Sequence, residues 1–255
     1  MPYYAKKRFA RKPRYAARKP RAKAKTVSQA VKRYVKRSIH SNIENQTKSL
    51  VYLNNAVASA TGYSQPLIPN PTQGGTDIEK RRGNEISLRG GYIKGYINLL
   101  PWDGTTNPQS TVHVRMMIIS RKDENAATFN AANIWQYGNT SLGVQNNIGD
   151  CLYKVNSDLF TVHEQKHLTL GATSLSSTVS TQVPNIMSNF KSTLPFYFNW
   201  GKHFKTKLKY NDNSSLCTNR NCFLFVTATY SDGSTNANLS PVEVHFLNQY
   251  EWEDA

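Results

Sequence analysis

Apolar and polar positions along the chain change their spacing near residue 50. Beyond it, short runs with strand character follow one another. Glu85 to Leu99 (EISLRGGYIKGYINL) alternates in places, with Gly90, Gly91 and Gly95 where bulges or bends are expected. Thr111 to Ser120 (TVHVRMMIIS) has the branched, apolar content of a strong strand, and Cys222 to Tyr230 (CFLFVTATY) reads as a buried one. Phe196 to Tyr210 is aromatic-rich and strand-forming, and Val242 to Trp252 closes the pattern. Leu159 to Leu170 (LFTVHEQKHLTL) reads as two short strands around a charged turn. About six to eight strands result, without interleaved long helices. Their connections over 54–83, 121–158 and 171–195 are long, and short hairpin turns are few. This argues against an up-and-down barrel. It favours a Greek-key sandwich or jelly roll, in which strands cross between two sheets. No internal repeat is visible.

Before residue 50 the spacing is helical. Thr26-Val27-Ser28-Gln29 fits a capping box, and Val27, Val31, Tyr34, Val35 and Ile39 share one face of a helix over 27–44. Lys32, Arg33, Lys36 and Arg37 lie largely on the other face. A membrane-surface helix has the same pattern, but this apolar face is thin and has no Trp or Phe.

Charge sharpens the division. The first 37 residues carry 15 Lys or Arg and no Asp or Glu, whereas the rest of the chain has 17 basic and 16 acidic side chains. Residues 1–25, broken by Pro13 and Pro20, bury too little apolar area to offset their conformational entropy and are expected to be disordered alone. The organisation expected is an arm over 1–25, a basic helix and linker over 26–48, and a β domain over 49–255. No apolar run reaches 18 residues, and the basic N-terminus lacks the apolar stretch of a signal peptide, so a cytosolic origin without membrane insertion is expected. Cys151, Cys217 and Cys222 form no CxxC pair and read as buried free thiols.

The cations that point to a polyanion are Lys6, Lys7, Arg8, Arg11, Lys12, Arg14, Arg18, Lys19, Arg21, Lys23 and Lys25 in the arm, with Lys32, Arg33, Lys36 and Arg37 in the helix. Tyr3, Tyr4, Phe9 and Tyr15, interleaved among them, suit stacking on unpaired bases. The same run fits a nuclear-import signal. Lys205, Lys207 and Lys209 alternate along an expected strand, as a phosphate-facing row or as a charged edge that resists strand pairing. His163-Glu164-Gln165-Lys166-His167 is a literal HExxH, the zinc metalloprotease signature, which requires a helix. Its strand-like flanks and the lack of a nearby third ligand argue for a charged turn instead. His113, His203 and His245 read as structural. No G-x-S-x-G elbow or Walker loop is present, and no catalytic or metal residue is assigned.

Five segments together resemble one family: AVKRYVKRSIHSNIENQTKSL (30–50), GGTDIEKRRGNEISLRGGYIKG (74–95), VRMMIISRKDEN (114–125), LFTVHEQKHLTL (159–170) and NQYEWEDA (248–255). The chain resembles the single jelly-roll capsid proteins of small icosahedral viruses, nearest to those of satellite necrosis viruses and of circular Rep-encoding single-stranded DNA viruses. The resemblance implies an all-β, eight-stranded viral jelly roll with a basic arm and a short helix before it. It implies no enzyme, a homo-oligomeric T=1 icosahedral shell of sixty copies, and a packaged single-stranded genome, DNA favoured over RNA. It also implies a virion location, with assembly in the host nucleus for a DNA genome. Glu251, Glu253 and Asp254 could join Asp77 or Asp123 of neighbouring copies around Ca²⁺. The competing expectation is a non-assembling movement or nuclear-shuttle protein that shares the arm.

Overall fold

The computed structural model describes residues 31, 32, 34, 46–71, 73, 74, 81, 83–100, 111–123, 129–171, 191–204, 207–212, 214–231 and 240–254. The chain divides into two units, 1–43 and 44–255. In the first, Val31, Lys32 and Tyr34 are described and are helical. The remainder of the helix expected over 27–44, and the whole 1–25 arm, lie outside the described residues.

The second unit is a jelly roll. One sheet runs in the order β1 (Gln46–Val57), β12 (Val242–Asp254), β3 (Glu85–Leu99), with the fourth place filled jointly by β9 (Thr193–Phe198) and β10 (Lys207–Lys209). The other runs β2 (Tyr63–Pro66), β11 (Phe223–Tyr230), β4 (Thr111–Arg121), β8 (Phe160–Gly171). All neighbours are antiparallel. Successive strands mostly change sheet rather than fold back on their neighbour, which is the doubled Greek key of eight strands.

Alternating side chains fill the space between the sheets. Ile86, Ile93 and Ile97 of β3 meet Val112, Val114, Met116 and Ile118 of β4 and Leu224 and Val226 of β11 in one core. A second core lies on the far side of the four-stranded sheet, where Met117, Ile119, Phe223 and Phe225 pack against Ile134, Trp135 and Val155. These last belong to the connection between β4 and β8. That connection is not a bare loop: it holds a three-stranded sheet of β5 (Trp135–Tyr137), β6 (Thr140–Leu142) and β7 (Lys154–Val155), and a helical turn, α1 (Gly149–Leu152). Arg115 fastens it, with its guanidinium 4.7 Å above the Trp135 ring and donating to the carbonyls of Tyr153 and Asp150. β11 is covered on both faces, so all eight of its residues are buried, including Thr227 and Thr229, and its first half, Phe223 to Val226, is a continuous apolar run.

Several expectations need correction. The charged turn expected at 163–166 is absent: β8 is one 12-residue strand. A bulge leaves His163 as the extra residue between Val162, opposite Ile119, and Glu164, opposite Ile118. Inward-facing Glu164 and Lys166 do not break this strand because they have partners across the sandwich. Lys202 Nζ lies 2.9 Å from Glu164, and Lys166 Nζ donates to the Tyr197 carbonyl at 2.7 Å. The single strand expected over 196–210 is interrupted by a 3-10 turn at Gly201–His203. Two strands sit in stretches not assigned to any: β1, which starts at Gln46, and β2. Of the three free cysteines only Cys222 is buried; Cys151 and Cys217 are half-buried.

Candidate nucleic-acid interface

Strand register decides which parts of the chain gather at each end of the sandwich. Gln46, the first residue of β1, pairs with Trp252, Trp252 with Leu88, and Ser87 with Lys207. The start of β1 therefore lies at the same end as the start of β3, β10 and the end of β12. The close of β2 and the start of β11 join this end through Leu67 N–H to the Cys222 carbonyl, and Thr218 N–H bonds the Lys209 carbonyl. The basic segment of the sequence precedes β1 in the chain. Of its fifteen assigned cations only Lys32 is described.

Arg81 organises the same end from within. It is fully buried, 5.1 Å over the Tyr210 ring, and its guanidinium bonds the Asn211 and Ser214 carbonyls, the Gly83 carbonyl and Asn84 Oδ1. These four bonds to Nη1 and Nη2 offset the cost of burying the guanidinium, whose Nε is left without a partner among the described residues. Lys207 and Lys209 point outward from β10 on either side of buried Leu208, and both approach Glu85, at 3.1 and 3.6 Å. These cations hold the Glu85 carboxyl below its usual range. What the structure shows of them is this pairing with Glu85 beside the strand edge. Lys205 lies outside the described residues.

A cleft of about 520 Å³ opens beside them. The end of β4 supplies Ser120, Arg121 and Lys122, the bulged start of β8 supplies Thr161 and His163, the turn after β9 supplies His203 and Phe204, and the approach to β11 supplies Arg220 and Asn221. His163 and His203 lie with ring centroids 5.0 Å apart, and Phe204 meets His163 edge-on at 5.1 Å. Burial, reinforced by the neighbouring imidazole, pushes His163 down to about 4. Burial and Lys202 push His203 down as well. Both rings are therefore neutral at pH 7.

Ser120 donates its hydroxyl proton to the Asn221 carbonyl at 2.7 Å, so the 2.8 Å contact with His163 Nε2 has the imidazole N–H as donor. This is the reverse of what an activated serine needs. The HExxH geometry is also not formed. The residues are extended, with His163 turned toward His203 and Phe204, and His167 directly opposite Arg115, whose side chain reaches the other face of the sheet. Among the described residues no group of three His, Cys, Asp or Glu side chains converges as a metal site. Asp77 and the Asp254 side chain lie outside the described residues, Glu253 is bonded to Arg89, and Asp123 lies 3.6 Å from Arg121. His113 bonds Thr169, and His245 Nδ1 accepts from Asn54 N–H, as structural histidines do.

The cleft was not legible as a unit in the sequence, because its residues come from four separated segments. His163 drew notice for the wrong motif, and Arg121-Lys122 and Arg220 carried no signal of their own. Among the described residues no helix is long and apolar enough to cross a membrane.

No known family's sequence profile matches the chain, and no curated protein does. Among solved structures, a chain of Desmodium yellow mottle tymovirus is similar over 83% of this chain and 87% of its own, at 8% identity and a TM-score of 0.32. The jelly-roll assignment rests on the strand order itself.

Proposed function

We propose that this chain is a coat protein whose jelly-roll body associates with copies of itself into a closed shell, and whose basic arm packages single-stranded nucleic acid. The observation that carries this reading is the segregation of charge: 15 cations and no anion in the first 37 residues, joined to a body with near-equal numbers of each sign. A self-repelling cationic segment on a foldable neutral domain suits condensation of a polyanion without interfering with packing between bodies.

The surface of the body supports association. On the outer face of the five-stranded sheet, Val51 and Leu53 of β1, Tyr96 of β3 and Tyr197 of β9 are all exposed. Exposed apolar side chains of this kind, on a sheet whose inner face is already buried, suit a protein contact. The family resemblance gives the finer form: an icosahedral shell of sixty copies, a genome with DNA favoured over RNA, a virion location, and no catalysis. Sixty arms would bring roughly 900 positive charges, on the scale of a genome of about a thousand nucleotides. Sedimentation of the purified full chain, with and without nuclease, tests the reading. Large closed species carrying protected nucleic acid support it, and a small species that binds nucleic acid transfers the chain to the shuttle class.

A further inference from the structure

The cleft described above has a composition that neither the fold nor the arm requires. Arg121, Lys122 and Arg220 line it, and among the described residues no Asp or Glu does. Two described carboxylates adjoin its lining residues in sequence and are engaged, Asp123 with Arg121 at 3.6 Å and Glu164 with Lys202 at 2.9 Å. The same cleft is lined by the His163 and His203 rings, with Phe204 edge-on to His163. Because both imidazoles are neutral at pH 7, they present π-faces rather than further charge. Cations that attract a phosphodiester, beside rings that accept a base, are the two elements of sequence-tolerant single-strand binding. A volume of about 520 Å³ lies in the range of sites for small ligands.

We propose that this cleft seats one nucleotide of a single-stranded nucleic acid, with its phosphate at Arg121, Lys122 and Arg220 and its base against His203 and His163. The proposal rests on the nucleic-acid-packaging reading and adds a built site on the folded body. It makes the body, as well as the arm, a recognition element, and it makes bases more than bystanders.

The test uses the full chain and a 12-mer of thymidine carrying 5-iodouracil, photocrosslinked at moderate salt and mapped by peptide mass spectrometry. A heparin fragment of similar charge serves as competitor. Crosslinks are expected on the peptide containing His203 and Phe204. His203→Ala is expected to lower oligonucleotide affinity about tenfold by removing a stacking partner. Lys122→Glu is expected to lower it at least as much and to reduce the salt slope by about 0.7 for each phosphate that is no longer neutralised. Lys122 and His203 are both exposed, so these variants keep the body intact. Crosslinks confined to the first 37 residues, with both variants binding as the parent does, would overturn the cleft and leave the packaging reading standing. Absence of any oligonucleotide binding by the parent would remove the packaging reading itself. Equal protection of the cleft by heparin, with no shift of the histidine ring resonances by thymidine 12-mer, would assign it to sulfated polyanions and overturn the nucleotide.

Discussion

Trp200 donates its indole N–H to Asn248 Oδ1 at 3.0 Å inside the sandwich, and both residues are almost fully buried. The same asparagine donates from Nδ2 to the Leu67 carbonyl at 3.1 Å. One side chain on β12 therefore ties together the turn that interrupts the fourth strand and the segment leaving β2. Asn248→Ala leaves a buried donor and a buried acceptor without partners. The expected cost is about 2–4 kcal/mol of unfolding free energy, read from urea denaturation. A midpoint unchanged from the parent would contradict the role given to this pair.

Gly95 of β3 lies directly opposite Phe246 of β12. A Cβ there would fall 2.0 Å from the His245 carbonyl oxygen and 2.7 Å from the Phe246 Cα, both backbone atoms that cannot move without opening the ladder. Gly95→Ala is expected to disrupt the pairing of β3 with β12 and to deliver insoluble or molten protein, seen as loss of near-ultraviolet circular dichroism. Gly90→Ala, where a Cβ meets nothing within 4 Å, is the matched control and is expected to fold.

The strands that were legible from sequence are those whose register is imposed locally. β3 matches the expected 85–99 because its alternation is its own, and β4 and β12 match within two residues. β8 was misread as a hairpin because Glu164 and Lys166 look like solvent residues, and their partners Lys202 and Tyr197 are more than thirty residues away. The three-stranded sheet of 135–155 escaped notice for a different reason: strands of two or three residues carry no measurable period, and what holds them is Arg115 over Trp135. The cleft depends on the bulge at His163, which no local pattern announces.

His163 makes stability depend on pH in a defined window. Its folded pKa, pushed down to about 4, lies below the ordinary imidazole value, so the unfolded chain binds the extra proton between these limits. Stability from this group is complete above about pH 6.5 and falls as pH drops toward 4, by about 1–2 kcal/mol after allowance for screening at a half-buried site. Groups around the ring include His203, Phe204 and the Ser120 hydroxyl. Melting of the parent and of His163→Gln is expected to diverge between pH 7 and 5, with the parent losing more. Parallel curves would contradict the buried neutral imidazole. His203→Ala is expected to raise the His163 pKa by removing the second imidazole, as followed by proton NMR.

Removal of residues 1–25 is expected to leave the jelly roll folded and still able to associate, while most nucleic acid is lost from the purified protein. The isolated 37-residue segment should bind single strands with little sequence preference. Its log–log salt slope is expected to approach −10, at about −0.7 for each neutralised phosphate. Retention of nucleic acid after the deletion, or a flat salt response, would contradict the role of the arm.

The central claim is tested most directly by electron microscopy of the purified full chain in negative stain, with absorbance at 260 and 280 nm taken on the same fraction. Uniform closed particles with excess absorbance at 260 nm are the predicted result. A small, non-assembled species in that fraction would contradict the account.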